Sequence, residues 1–223
     1  ELAVIIQRGM KRMFEVGENC FYYITTMNEN YVHPDMPEGI EEGIIRGLYR
    51  LHQSKSPNSL RVQLLGAGTI LREVEAAAEM LERDYGVAAD VWSVTSVNEL
   101  VRDGKAAARW NLLHPTESPR VPFVTEQLAA NEGPFIAATD YIKAHTDQLR
   151  EFVPGRFTVL GTDGFGRSDT RRKLRHHFEV SRDFVVLAAL KSLADEGKIE
   201  AVVVAEAMTT LGISPDKINP FTA

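Results

Sequence analysis

The chain lacks the features that would assign it to a membrane, to nucleic acid or to an oxidising compartment. It contains one cysteine, Cys20, so it cannot form an internal disulfide, and this fits a reducing compartment. No apolar run is long enough to cross a bilayer, and no signal peptide is recognisable. Lysine and arginine number 25 against 31 acidic residues, and the net charge of −6 argues against generic binding to nucleic acid. These absences predict a cytoplasmic protein with no membrane or nucleic-acid partner.

Short motifs for metal binding and nucleophilic catalysis are also missing. His176 and His177 are adjacent, and adjacent side chains point in different directions, so one metal ion would not easily be held by both. No second His or Cys cluster accompanies them. His114, Ser118 and Asp140 lack the sequence that surrounds a serine at a nucleophile elbow. Short motifs therefore assign no metal, cofactor or catalytic residue.

The sequence divides into two parts of different pattern. Residues 1–14 carry apolar side chains at helical spacing, 20–26 are aromatic and β-branched as in a buried strand, and 41–51 are predicted to be helical. Lys55–Ser59 is the most linker-like stretch of the chain. We predict an incomplete first domain over 1–52, a linker over 53–60 and a second domain over 61–223.

After the linker, strand and helix patterns alternate. The predicted strands are 61–65, 89–95, 135–139 and 157–160, and the predicted helices are 69–85, 97–113, 122–130, 141–152, 170–178, 182–195 and 199–211. Such alternation predicts an α/β fold, a mostly parallel sheet with helices on both faces.

A glycine-rich turn, Leu65-Gly66-Ala67-Gly68-Thr69, lies between a predicted strand and a predicted helix. Backbone N–H groups can bind phosphate at such a turn. However, the dinucleotide-binding fingerprint needs a third glycine where this chain has Leu71, and Thr95-Ser96 stands where an acidic residue is expected. The favoured interpretation is a tight turn that needs small residues, and an independent nucleotide-binding domain is the alternative.

A second glycine-rich loop, residues 161–169, also joins a strand to a helix. It lacks the lysine of a phosphate-binding Walker loop. Its three glycines indicate unusual backbone angles or a close approach by another chain, with direct ligand binding as the alternative. Ser168 or Asp169 is predicted to cap the following helix.

The only basic cluster of this acidic chain begins inside that loop and includes Arg167, Arg171 and Arg172. One interpretation is a solvated helix face with local ion pairs. The other is a contact with an acidic partner protein or a phosphate group.

The polar loop Asn28-Glu29-Asn30-Tyr31-Val32-His33 follows the predicted strand at 20–26. Side chains in such loops commonly reach ligands, and Glu29 and His33 could exchange a proton. We therefore select Glu29, Asn30, Tyr31 and His33 as candidates for a loop on the substrate side or at an interface. Asn and Pro also suit a tight irregular loop with a structural role.

Six blocks, taken together, resemble one enzyme family. They are TTMNENYVHPDMPEG, LLGAGTILREV, SVTSVNELVRDG, RWNLLHPTESPRVPFV, GTDGFGRSD and LRHHFEV, from Thr25 to Val180. They are similar to the C-terminal part of the homodimeric, thiamine-diphosphate-dependent decarboxylating component of the bacterial pyruvate dehydrogenase complex. The resemblance implies that 1–52 is the end of a pyrimidine-binding domain and that 61–223 is a transketolase-type C-terminal domain.

The resemblance also implies a function for the complete enzyme. Such an enzyme decarboxylates pyruvate with thiamine diphosphate and magnesium, and passes the acetyl unit to lipoyl groups of an acetyltransferase component. A second copy of the chain and that acetyltransferase are the expected partners. The C-terminal domain would support the dimer, or alternatively act as a docking or regulatory module.

This chain departs from the family pattern where the cofactor is bound. The GDG motif with its following Asn, which binds magnesium and diphosphate in the family, is absent, as are the activating glutamate and a histidine-rich loop. Where the family often has NENYHMP, this chain has Asn28-Glu29-Asn30-Tyr31-Val32-His33-Pro34, with the histidine displaced by one position. We therefore carry over no catalytic or cofactor-binding residue, and expect the chain alone to be inactive and to bind no cofactor.

Overall fold

A five-stranded mixed sheet forms the centre of the computed structural model, which describes residues 1–32 and 35–223. The strands are β1 Leu48–His52, β2 Arg61–Ala67, β3 Ala88–Val94, β4 Phe135–Ala138 and β5 Phe157–Leu160. Their spatial order is β1-β3-β2-β4-β5. β1 pairs antiparallel with β3, and the other neighbouring strands are parallel.

Nine α-helices accompany the sheet within the described residues. They are α1 Leu2–Met10, α2 Glu41–Arg46, α3 Leu71–Tyr85, α4 Val97–Leu113, α5 Phe123–Leu128, α6 Lys143–Asp147, α7 Arg171–His177, α8 Arg182–Asp195 and α9 Ala201–Thr210. α1 continues into a π-helical segment, Lys11–Glu15. None of these helices is both long and apolar enough to span a bilayer.

Two apolar cores cover the two faces of the sheet. Side chains alternate between the faces along a strand, so Val62 and Leu64 of β2 face one core while Leu65 faces the other. The first core is completed by α3, α8 and α9, and the second by α4, α5 and the segment around Leu149 and Phe152. Helices therefore lie on both faces of a mostly parallel sheet, which confirms the predicted fold class.

Local sequence explains how the longer helices begin and end. α3 buries Val74, Ala77 and Leu81 at helical spacing, and it ends at Gly86, whose φ of 64° suits glycine. α4 begins at Ser96, whose side chain accepts a hydrogen bond from the Glu99 backbone N–H at 3.2 Å. The predicted boundaries of α4 and α8 agree with the structure, and in α4 the Ser96 cap fixes the first residue.

The strand predicted over 20–26 is wrong, because the structure has no strand there. Phe21 and Tyr23 are each 86% exposed. Aromatic and β-branched residues favour a strand only when a neighbouring strand and a core can receive them, and this segment pairs with no strand in the described residues.

The predicted helix over 41–51 is also wrong in its second half. α2 ends at Gly47, whose φ is 105°, and the chain then forms β1. A side chain at Gly47 would place its Cβ 2.5 Å from the Ser96 carbonyl oxygen. The close approach of these two backbones turns the chain into the sheet.

The helix predicted over 141–152 is shorter in the structure. α6 ends at Asp147, and the chain continues in turns in which Arg150 donates to the Asp147 carbonyl at 3.0 Å and Phe152 donates to the Leu149 carbonyl at 2.8 Å. Pro154 disfavours helical geometry in the residue before it. Leu149 and Phe152 nevertheless fill the second core.

Candidate functional site

The strand order creates one position where a ligand site is expected. From β2 the chain crosses to β3 on one side, and it later returns to β4 on the other side of β2. In an open α/β sheet, ligands bind outside the carboxyl ends of the strands at such a reversal. A cavity of about 340 Å³ lies there, lined by residues that follow β2, β4 and β5. We name it the carboxyl-edge cavity, and its polar and charged lining is Thr69, Asp140, Thr162, Arg167, Arg171 and Arg175.

The floor of the carboxyl-edge cavity carries two polar groups of unusual environment. Thr69 is 3% exposed, and its hydroxyl has no hydrogen-bond partner within the described chain. Burial raises the pKa of the Asp140 carboxyl, and the hydrogen bond from its own backbone N–H and the positive charge of Arg175 offset only part of that effect. The Thr162 hydroxyl, by contrast, donates to the Asp140 backbone carbonyl at 2.5 Å. Strained or unpaired polar groups of this kind cluster at sites that receive a ligand.

The first glycine-rich turn has a packing role at this cavity. A Cβ on Gly66 would lie 2.7 Å from the Leu71 Cα, and Gly68 has a φ of 56°. The dinucleotide-binding fingerprint has its third glycine at this position, and the Leu71 side chain occupies the space that glycine would leave open. The geometry favours the interpretation as a tight strand-to-helix turn over that of a dinucleotide-binding turn.

The second glycine-rich loop packs against this chain's own C-terminal segment. Gly164 has a φ of 103°, and a Cβ there would lie 2.0 Å from the Pro220 carbonyl oxygen. A Cβ on Gly161 would lie 2.7 Å from the Tyr141 carbonyl oxygen. The positive φ of Gly164 fits the predicted unusual backbone angle, and the close approach at these glycines is made by this chain's own residues, while an approach by another chain stays a prediction.

The predicted cap of the helix that follows is wrong by one or two positions. Thr170, rather than Ser168 or Asp169, caps α7, and its hydroxyl accepts from the Lys173 backbone N–H at 3.5 Å. The Asp169 carboxylate instead accepts from the Thr170 backbone N–H at 2.7 Å. A Ser, Asp, Thr sequence offers three possible caps, and only the backbone path selects one of them.

The polar loop near residue 29 and the basic cluster lie together. Arg175 donates to the Glu29 carboxylate at 2.7 Å, and Arg171 donates to the Asn28 side-chain oxygen at 2.7 Å. The Arg72 guanidinium lies 4.6 Å from the centre of the Tyr31 ring. Two groups that were selected separately from the sequence, the loop and the arginines, therefore form one surface.

The remaining selected residues take no part in these contacts. Asn30 is exposed, and Arg167 and Arg172 are exposed without an ion pair to another described residue. His33 lies outside the described residues, so its proposed proton exchange with Glu29 stays a prediction.

Glu73 of α3 organises this surface, and sequence reasoning missed it. Its carboxylate accepts from the Arg182 side chain at 3.0 and 3.1 Å, from the Arg182 backbone N–H at 3.0 Å, and from Arg175 at 3.2 Å. Burial alone would raise the pKa of Glu73, but the hydrogen bonds and charge of Arg182, with the charge of Arg175, outweigh it and lower the pKa. The sequence did contain a sign that Glu73 is buried. Glu73 lies one helical turn before Ala77 and two turns before Leu81, on the apolar face of α3.

The arginine and glutamate side chains form a cluster with an excess of positive charge. Its members are Glu29, Glu73, Arg72, Arg171, Arg175 and Arg182. Two carboxylates thus face four guanidinium groups, so positive charge is in excess among these six side chains. The excess lies beside the carboxyl-edge cavity, which Arg171 and Arg175 also line.

Histidines of the described ranges pack against aromatic rings. His114 stacks on Trp110 at a ring separation of 4.3 Å, and its Nδ1 lies 2.8 Å from the Trp110 carbonyl oxygen. His176 packs on Phe184, and His177 packs on Phe178. No group of three or more His, Cys, Asp or Glu side chains that could hold a metal ion occurs in the described ranges.

Family models match most of this chain. Residues 47–181 match the model described as transketolase-like TK C-terminal domain. The chain belongs to this family of transketolase-like C-terminal domains. Residues 1–34 match the model described as pyruvate dehydrogenase E1 component middle domain. The family model over 47–181 covers β1 to β5 and the carboxyl-edge cavity apart from Met27.

The curated relatives are longer proteins. The pyruvate dehydrogenase E1 component of Pseudomonas aeruginosa is 58% identical over 99% of this chain and 25% of that protein. The same component of Escherichia coli K12 is 54% identical over 100% of this chain and 25% of that protein. The chain therefore spans about a quarter of the length of these relatives. These matches confirm the resemblance stated from the sequence blocks.

Among solved structures, the crystal structure of transketolase from Campylobacter jejuni matches 66% of this chain and 18% of that chain. The match has a TM-score of 0.45 and 23% identity.

Proposed function

We propose that this chain is the C-terminal part of an enzyme that decarboxylates pyruvate and transfers the acetyl unit to lipoyl groups of an acetyltransferase component. The observation that supports this most is the 58% identity to a pyruvate dehydrogenase E1 component over 99% of the chain. Identity of this extent covers both family-model matches, 1–34 and 47–181, in one continuous alignment. A cytoplasmic location belongs to the same proposal.

Thiamine diphosphate and magnesium belong to the proposed enzyme, but the residues of this chain do not fit them. The described residues contain no cluster of three metal-binding side chains. The cavity groups Thr69 and Asp140 are accompanied by arginines rather than by further carboxylates or amides, which magnesium prefers. We therefore place cofactor binding on other parts of the enzyme and derive no catalytic step from this chain.

The proposed role of this chain is to support the assembly, including the contact with a second copy. Large apolar side chains of the first forty residues are exposed, among them Phe14, Phe21, Tyr23 and Val32. Exposed apolar surface of this extent marks a contact with another domain or chain. We also propose that the second domain starts at Gly47, because β1 lies before the predicted linker at 53–60 and already pairs with β3.

The first prediction concerns the activity of the separated chain. The purified 223-residue chain, supplied with thiamine diphosphate, magnesium and pyruvate, is expected to release no carbon dioxide above the rate without cofactor. The full-length protein that carries this chain, assayed in parallel, is expected to turn over and to acetylate a lipoyl domain. Turnover by the chain alone would contradict the assignment of chemistry to other parts, and an inactive full-length protein would contradict the enzyme assignment.

A docking surface for another component is the second candidate function. Arg172 is exposed and makes no ion pair with another described residue, whereas Arg171 is partly engaged by Asn28 and Glu29. An exposed basic group on an acidic chain can steer an acidic partner.

The second prediction tests this docking surface by calorimetry against the subunit-binding domain of the acetyltransferase component. Replacing Arg171 and Arg172 together with alanine is expected to weaken binding by about tenfold, or 1.4 kcal/mol. The loss should be larger at low salt, since screening shortens the reach of surface charge. Arg102→Ala, on the exposed face of α4, is the matched control and should leave the affinity unchanged. Equal affinities for the double variant and the control would reject this surface.

A further inference from the structure

The carboxyl-edge cavity has the size and composition of a small-molecule site. Its volume of about 340 Å³ falls within the range of ligand pockets, roughly 300–1,000 Å³. Much of its wall is apolar and is formed by Ile70, Leu174, Phe178 and Val180. A ligand that fills it therefore needs an apolar body.

Positive charge at the cavity is only partly neutralised by the protein. Arg175 is engaged by Glu29 at 2.7 Å and by Glu73 at 3.2 Å. Arg171 has one short contact, to the neutral Asn28 side chain, and lies 3.7 Å from Glu29. Arg167 makes no ion pair or hydrogen bond with another described residue. Among the described residues, Arg167 has no competing partner and Arg171 has only one carboxylate nearby, so both can bind an anion through their planar guanidinium groups.

One polar group of the lining has no protein partner, and a second has only a local one. The buried Thr69 hydroxyl is unpaired, and the half-buried Asp140 carboxyl accepts a hydrogen bond from its own backbone N–H. An unpaired buried polar group costs about 1–3 kcal/mol, so its retention calls for an explanation. Because burial raises the pKa of Asp140, the protonated carboxyl becomes more accessible as a hydrogen-bond donor.

We propose that the carboxyl-edge cavity binds a small organic anion with an apolar body. The body packs on Leu174 and Phe178, and the carboxylate or phosphate group faces Arg167 and Arg171. A hydrogen-bonding group on the body meets Thr69 and Asp140. Gly164 and Gly166 add no side chain to the lining, which leaves space beside Arg167. The proposal rests on the lining of this cavity and does not depend on the proposed function.

Titration calorimetry with four probes tests the chemistry of the ligand. The full-length protein that carries this chain is titrated with phenyl phosphate, phenylacetate, benzyl alcohol and inorganic phosphate. Phenyl phosphate or phenylacetate is expected to bind at least tenfold more tightly than the other two, and the stronger of the pair identifies the anionic group. Equal binding of benzyl alcohol would refute the need for an anion, equal binding of inorganic phosphate would refute the apolar body, and no binding by any probe would refute the site.

Three variants locate the binding. Arg167→Ala should weaken the tighter aromatic anion about tenfold while leaving benzyl alcohol unchanged, and Leu174→Trp should abolish binding by filling the cavity. Thr69→Val should weaken binding while the melting temperature stays equal or rises, because the methyl group replaces an unpaired hydroxyl. Unchanged affinity in both Arg167→Ala and Leu174→Trp would place the anion elsewhere on the protein and overturn the proposal. A fall of both affinity and melting temperature in Thr69→Val would assign that hydroxyl to the fold instead.

Discussion

Replacing Glu73 with alanine is expected to lower the free energy of unfolding by about 2 kcal/mol, because it leaves the Arg182 backbone N–H without an acceptor and removes a carboxylate from two guanidinium groups. The Glu73 side chain is 9% exposed and accepts from the Arg182 backbone N–H, the Arg182 side chain and Arg175. α8 begins at Arg182, and its N-cap Ser181 makes no side-chain capping bond. The carboxylate of Glu73 therefore serves as the cap of a helix distant in sequence, where negative charge also favours the helix dipole.

Urea unfolding followed by circular dichroism measures this effect. Glu79→Ala is the matched control, since Glu79 is an exposed residue of the same helix and makes no hydrogen bond or ion pair with another described residue. That control should change stability by no more than about 0.5 kcal/mol. Equal losses in the two variants would show that the loss does not come from the contacts of Glu73 with Arg175 and Arg182, since alanine favours a helix at least as well as glutamate.

The same carboxylate makes stability depend on pH in a defined direction. The pKa of Glu73 is lower in the folded state than its usual value. Its contribution to stability is therefore fully present above the unfolded pKa, about 4.3, and is lost as the pH falls through the lower folded pKa. The stability difference between wild type and Glu73→Gln should accordingly be constant near neutral pH and narrow under acid. A difference that widens on acidification would contradict this assignment.

Replacing Gly133 with alanine is expected to destabilise the protein by more than about 4 kcal/mol, an exceptional loss for a single substitution. The new Cβ would lie 1.9 Å from the Arg61 carbonyl oxygen, and Gly133 has a φ of 90°. Neither backbone can move freely, because the Gln63 N–H next to this contact donates to the Pro134 carbonyl at 2.9 Å where β2 meets β4. Relief of the clash would separate the two strands that carry the floor of the carboxyl-edge cavity.

Gly212→Ala distinguishes the clash from the strain of the backbone angle. Gly212 has a φ of 66° and no atom within 4 Å of a built Cβ. It should lose only about 1–2 kcal/mol, the cost of the left-handed conformation. Thermal and urea unfolding of both variants give the comparison, and a Gly133→Ala loss as small as that of Gly212→Ala would show that the β2–β4 edge adjusts.

Most strands and helices of the second domain could be predicted because their patterns are local. The strand 157–160 and the helices 97–113 and 182–195 match the structure at both ends. The segment 20–26 has an equally strong strand pattern and forms no strand. The difference is that a strand requires a hydrogen-bonding neighbour, and β propensity carries no information about whether one exists.

The residues of the candidate site could be selected from the sequence, but the contacts between them could not be predicted. The glycine turn, the polar loop and the arginines stood out one by one in the sequence, but the sequence did not predict that Arg175 would join Glu29 to Glu73. That contact spans 146 residues on one side and 102 on the other. The sequence pointed to Asp140 only as a member of an unsupported Ser-His-Asp triad. Its place in the cavity lining was not predictable, because the burial that raises its pKa arises from tertiary packing.

The sequence by itself determined the family of this chain and the α/β alternation, since long ordered blocks and apolar periodicity are properties of neighbouring residues. Only the tertiary structure decided that β1 precedes the linker-like stretch yet belongs to the sheet, and that Glu73 caps a helix more than one hundred residues away. The carboxyl-edge cavity also depends on the tertiary structure, because it requires β2, β4 and β5 to end side by side. Contacts between distant segments set these features, and their geometry is specified by packing rather than by local pattern.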